Sequence, residues 1–330
     1  MAANESKRRG VPDELGPTLS EIYQARRRIM GVARRTPLDR FLWLSEVAGH
    51  DVYMKLEAWQ RTRSFKMRGA YNAVSALDPE QRVRGLVTAS AGNHGQAVAL
   101  AAREVGARAT IFVPNNAPET KKRRIQAFGA DINTDCANYD DAQVAARAFA
   151  DRSGATFVHA FSDRAVVAGQ GTVGIEILED MPHVKNVIVP VGGGGLIGGI
   201  GIAIKAANPA IRVIGVQSTQ TPAMYEAFKA GRLVNCPIGP TLADGLAGQV
   251  DEISYARALG VVDEMHLVSE EAIPEAIRAI YREGVLAEGG AAVSVAALSE
   301  GVVKVDGPTV VVITGGNIDA ERFASIIAQK

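Results

Sequence analysis

Four consecutive glycines, Gly192, Gly193, Gly194 and Gly195, separate the apolar run Val187-Ile188-Val189-Pro190-Val191 from Leu196-Ile197-Gly198-Gly199-Ile200. The first run has the length and composition of a buried strand, and the second can start a helix. Glycine loses more backbone entropy on folding than any other residue, so four in a row need a reason. A backbone without Cβ atoms can wrap its N–H groups around an anion, and a helix N-terminus adds its dipole to the attraction. A tight crossover turn with no ligand is the plainer alternative.

A phosphate would fit such a turn, and the chain formally offers a dinucleotide fingerprint. Gly193, Gly195 and Gly198 satisfy G-x-G-x-x-G. That motif expects a carboxylate at the end of the next strand, about 20 residues on, to hold a ribose hydroxyl. The next strand, 213–216, ends instead in Gln217-Ser218-Thr219. A nicotinamide-dependent oxidoreductase stays open only as an alternative.

Short β-rich runs alternate with helical patterns along almost the whole chain. Strands are expected at 52–56, 85–88, 109–113, 156–158, 187–191, 213–216 and 309–314, several of them nearly continuous apolar runs of the kind that parallel strands covered on both faces need. Alanine-rich segments at 96–103, 141–151 and 270–281 carry apolar residues at helical spacing. The alternation predicts an α/β fold with open, mostly parallel sheets. Residues 1 to about 16 have no such period and are expected to form a mobile tail.

Composition excludes several partners. Lys+Arg and Asp+Glu are 36 each, which leaves no electrostatic footprint for nucleic acid or an anionic membrane. No uninterrupted apolar run reaches spanning length, because glycines break the stretch 187–204. Cys136 and Cys236 are too few and too far apart for a disulfide framework or a metal motif. The N-terminus carries charge but no apolar segment of the secretory kind. A cytoplasmic enzyme is expected.

Three more segments sit where α/β enzymes keep their chemistry, at strand ends and the turns after them. They are Ser64-Phe65-Lys66-Met67-Arg68-Gly69, Ser90-Ala91-Gly92-Asn93-His94 and Thr314-Gly315-Gly316-Asn317. Each alone is ordinary: a surface lysine, a helix start, a glycine turn. With the tetraglycine, and with Ala168-Gly169-Gln170-Gly171-Thr172 and Ala243-Asp244-Gly245, they form an ordered set. The set resembles fold-type II pyridoxal-phosphate enzymes, most closely the threonine/serine dehydratase branch, from Arg35-Thr36-Pro37-Leu38 to Asn317.

The resemblance implies pyridoxal 5′-phosphate as cofactor and a small amino acid as substrate. It makes Lys66 the Schiff-base lysine, whose freed amine takes the substrate Cα proton, and Phe65 the ring packed on the cofactor plane. Asn93 would bond the pyridine 3′-oxygen, and Thr314 would face the pyridine nitrogen. Gly192 to Gly195 with the Leu196 N–H would cradle the phosphate. Ser90, Ala91, Gly92, Asn93 and His94 would hold the substrate carboxylate. It further implies a homo-oligomer, dimer or tetramer, and two lobes: residues 1–70 and 158–330 as a discontinuous large cofactor-binding domain, and 71–157 as a small one.

The chemistry accounts for these residue types. A hydroxyl opposite the pyridine nitrogen cannot keep it protonated as an aspartate would, so the ring is a weaker electron sink and loss of a β-substituent becomes the favoured exit. Serine racemases of this fold place a serine where Ala91 stands, so racemisation is expected to be minor at most. Many relatives bind a divalent cation through carboxylates at the positions of Gln217 and Ala223. A hard cation needs oxygen anions, so that metal site is expected to be absent or weak. The chain ends soon after Asn317, which leaves no room for the isoleucine-binding domain of biosynthetic relatives and suggests a catabolic or specialised role. A serine racemase, a β-replacement synthase of the same fold and a non-catalytic amino-acid-binding module remain the alternatives.

Overall fold

The structure, a computed structural model, describes residues 11–328. Its ten strands are β1 (Leu38–Arg40), β2 (Val52–Lys55), β3 (Leu86–Ala89), β4 (Ala109–Pro114), β5 (Asp131–Cys136), β6 (Thr156–Phe157), β7 (Asn186–Pro190), β8 (Arg212–Ser218), β9 (Glu264–Val268) and β10 (Thr309–Val312). They form a six-stranded sheet in the order β1-β2-β10-β7-β8-β9 and a four-stranded sheet in the order β5-β4-β3-β6. Every pairing is parallel except β1 with β2. The α/β architecture with open, mostly parallel sheets is therefore as the sequence predicts.

The central strands explain why their runs are apolar throughout. Successive residues of a strand point to opposite faces. In β7, Val187 and Val189 join one core with Val310 and Val312 of β10, while Ile188 joins the other core with Val311. Helices Arg164–Asp180 and Gly195–Ala207 cover the first face, and Ala272–Arg282 and Gly289–Ser299 the second. A strand buried on both sides has no polar face to alternate with.

Three strands were not expected: β1, β5 and β9. All three are edges of their sheets. An edge strand has a single neighbour and a solvated side, so it tolerates Asp131, Asn133 and Asp135 in β5, or Glu264 and His266 in β9. In the segment expected as a tail, Val11 lies beside Gly260 and Gly16 is buried against Ile202, while Pro12, Asp13 and Glu14 are exposed. The rest of that expected tail, residues 1–10, lies outside the described residues.

A buried ionic cluster anchors the helix Lys66–Ser75, which begins at the expected cofactor lysine. Arg68, fully buried, donates to both oxygens of Glu57 (2.7 and 2.8 Å) and both of Glu176 (2.6 and 2.8 Å). Lys55 adds a second cation, 2.7 Å from Glu176 and 2.6 Å from the Thr36 carbonyl. Removing one member of such a cluster strands an opposite charge in the interior and costs about 3–5 kcal/mol. The start of the lysine helix is thus fixed to β2 and to the helix Arg164–Asp180.

Candidate active site

The expected positions lie at the C-terminal ends of parallel strands. The glycine loop follows β7, Ser90 to His94 follow β3, and Thr314 follows β10. The lysine segment reaches this edge by lying across the Thr314 turn. Ser64 bridges Gly315, the Phe65 N–H donates to the Thr314 carbonyl at 3.0 Å, and the Gly316 N–H donates to the Arg63 carbonyl at 2.9 Å. Arg63 takes φ +56°, a conformation that non-glycine residues adopt reluctantly.

Lys66 follows at once, half-buried, with its Nζ donating to the Ala160 carbonyl at 2.8 Å and standing 5.2 Å from the Phe65 ring centre. Burial lowers its pKa to about 8, against the opposing pull of the Glu288 carboxylate. Such an amine loses its proton readily near neutral pH, which a carbonyl-binding lysine must do. Burial likewise lowers the pKa of His94 to about 3, with Lys66 contributing, and that of His159 to about 4. Both imidazoles are therefore neutral; His94 Nε2 bonds the Val158 carbonyl at 3.0 Å.

Two helix starts offer free donors. The helix Gly195–Ala207 has no side-chain cap, and the N–H groups of Gly192 through Ile197 make no hydrogen bond among the described residues. The helix Asn93–Glu104 is similar: the N–H groups of Ala91, Asn93, His94 and Gly95 have no partner there, while the Gly92 N–H bonds Ser90 Oγ at 3.2 Å. Helix N-termini with unpartnered donors favour anions. Glycine is obligatory in the first of these loops. Gly194 has φ +88°, and a Cβ on Gly193 would stand 2.5 Å from the Phe161 ring.

Contacts link these pieces into one cleft. Phe161 covers Gly193 and Gly195, and its neighbour Ala160 receives the Lys66 amine. The Asn93 amide is held from both ends: its Nδ2 donates to Glu288 at 2.7 Å, and its Oδ1 accepts from Asn317 at 2.7 Å. Thr314 is buried, and its hydroxyl has no partner among the described residues. No hydrogen bond joins Ser90 or Ala91 to Lys66; they share the cleft through Asn93.

Sequence reasoning missed Glu288. Its Oε1 takes the Asn93 bond, its Oε2 accepts the Asn317 N–H at 3.2 Å, and burial raises its pKa to about 7, with the Asp244 carboxylate adding to the rise. It also lines a cavity of about 230 Å³ with Lys121, Arg124, Asp244 and Arg322. The signal available was a carboxylate in an otherwise small, apolar stretch, Leu286-Ala287-Glu288-Gly289-Gly290.

At the expected metal positions, Gln217 is buried and its Oε1 accepts the Tyr225 N–H at 2.8 Å, while Ala223 begins the helix Ala223–Ala230. Among the described residues no helix is long and apolar enough to cross a membrane.

A desolvated amine, an unpartnered hydroxyl and a glycine cradle of free N–H groups fit a phosphorylated carbonyl cofactor. The family model for pyridoxal-phosphate-dependent enzymes matches residues 29–315. The chain belongs to this family. It is 45% identical over 312 residues to the L-threonine ammonia-lyase of Thermotoga maritima, covering 94% of this chain and 78% of that protein. Among solved structures it resembles maize serine racemase, with a TM-score of 0.90 and 32% identity over 93% of this chain and 96% of that one. It also resembles a processed threonine deaminase isoform 2 from Solanum lycopersicum, with a TM-score of 0.89 and 33% identity over 96% of this chain and 88% of that one.

Proposed function

We propose that the protein removes water from a small β-hydroxy amino acid, L-threonine or L-serine, to give a 2-oxo acid and ammonia. The observation that carries this reading is the pair of residue types Ala91 and Thr314, neither able to donate as a serine base or an aspartate would, in a chain 45% identical to an L-threonine ammonia-lyase. Pyridoxal phosphate, when bound, supplies an electron-withdrawing system conjugated to the substrate Cα. The N–H groups of Gly192 to Gly195 and Leu196 would hold its phosphate. The Asn93 amide, with one N–H on Glu288, would have the other to offer the ring oxygen. Thr314 would give the pyridine nitrogen a hydroxyl instead of a carboxylate.

Ser90 and the free N–H groups after it fix the substrate carboxylate. The neutral Lys66 amine takes the Cα proton at Nζ; the Cβ–O bond breaks, and the hydroxyl leaves as water with the proton that Nζ gives back, so the amine ends neutral. The enamine released then hydrolyses to 2-oxo acid and ammonia. Ala91 has no proton to return to the opposite face, which disfavours racemisation.

The two sheets support a two-lobe reading, with 1–70 and 158–330 as the large lobe and 71–157 as the small one. The helix Lys66–Ser75 crosses the first of these boundaries, so it would serve as the hinge element. Two free, buried cysteines suit the cytoplasm. A dimer or tetramer is proposed by likeness to the family.

The test is covalent. Borohydride treatment of the purified yellow protein followed by peptide mass analysis should add the reduced cofactor to Lys66. Modification at another lysine would overturn the site.

A further inference from the structure

Arg257, in the helix Glu252–Val261, is 1% exposed and forms no ion pair among the described residues. Its Nε donates to the Leu15 carbonyl at 2.7 Å, and its Nη1 and Nη2 donate to the carbonyls of Phe161 and Ser162, both at 3.3 Å. A guanidinium keeps its charge in almost any surroundings, and burying a charge among neutral partners is unfavourable. Asp251, the nearby carboxylate, is engaged by the Ser162 hydroxyl and the Ser254 N–H. Arg164 is the other charge that acts on Arg257, and it is a cation.

The position of this cation is specific. Its Cδ lies 2.7 Å from where a Cβ on Gly198 would stand. The Phe161 carbonyl that it holds lies 2.9 Å from where a Cβ on Gly195 would stand. Gly195 and Gly198 are the first turn of the helix whose N–H groups form the cradle. Their missing side chains let Arg257, and the backbone it grips, close against that turn.

We propose that Arg257 is a positioning residue for the cofactor phosphate, clamping Phe161 over the glycine loop and setting a buried positive charge behind the free N–H groups. The inference rests on the phosphate being held at the glycine loop. In a partly desolvated interior, a unit charge within about 10 Å of a dianion changes its affinity by about tenfold or more. A neutral ligand of the same shape feels only the clamp.

The test compares pyridoxal 5′-phosphate with pyridoxal, binding each to the full chain freed of cofactor. In the wild type, equal affinity for the two would refute the phosphate cradle itself, before Arg257 is considered. Given a preference for the phosphate, Arg257→Met should weaken pyridoxal 5′-phosphate about tenfold and pyridoxal by less than twofold. Arg257→Lys, which retains charge, should keep most of the ratio. Should Arg257→Met fail to fold, Gly198→Ala displaces the same side chain and should also lower the ratio. Equal weakening of both ligands, or no change in either, overturns the proposal.

Discussion

Replacing Glu288 with glutamine removes a carboxylate whose pKa burial raises to about 7, from an ordinary value of 4.5. The folded protein therefore holds a proton on Glu288 that the unfolded chain has lost between those two values. A raised acid stabilises the fold fully below pH 4.5, and that contribution disappears as pH rises through 7. The shift corresponds to at most about 3 kcal/mol, since one pKa unit is 1.36 kcal/mol. Glutamine keeps the shape but brings an NH2 group to face either the Asn93 or the Asn317 donor, an unmade hydrogen bond that costs about 1–3 kcal/mol. The wild type should thus be the more stable protein at pH 4.5, and its advantage should shrink or reverse by pH 7.5. Urea unfolding of the two cofactor-free proteins across that range measures the difference directly. A stability difference independent of pH would refute the reasoning, because it would mean that Glu288 titrates alike in the folded and unfolded chains.

The remaining predictions concern the lysine and the metal. Lys66→Ala should abolish 2-oxo-acid release while leaving the urea midpoint nearly unchanged, since Nζ has one partner, the Ala160 carbonyl; substantial remaining turnover would exclude Lys66. The rate at which the cofactor attaches to the stripped protein should climb with pH and level off above about 8, where the Lys66 amine is neutral, as followed by absorbance. Chelators should leave activity and melting temperature unchanged, because Gln217 and Ala223 supply no anionic oxygen; a loss restored by magnesium or calcium would contradict that.

What was legible in the sequence follows the physics of each element. Interior strands such as β7 and β10 announce themselves because burial on both faces permits only apolar side chains. The edge strands β1, β5 and β9 carry polar residues and look like loops. The glycine loop is legible because its reason is local: Gly194 needs positive φ, and Gly193 and Gly195 leave room for Phe161. The cleft's other partners are not local. Glu288 meets Asn93 across 195 residues of sequence, and Arg257 reaches Leu15 across 242. Nothing in the spacing of either pair signals the contact, which only tertiary packing creates. Residues 11–16 look like a tail for the same reason, since their partners Ile202, Arg257 and Gly260 are distant in sequence.

The central claim is that this site eliminates water and does not invert the α-carbon. Purified enzyme given L-threonine and L-serine in turn, with 2-oxo acid followed by a coupled assay and enantiomers by chiral chromatography, tests it most directly. The account predicts 2-oxo acid and ammonia in equal amounts, without any added nucleophile, and little D-amino acid. Formation of D-amino acid faster than 2-oxo acid on both substrates would contradict it and make the protein a racemase.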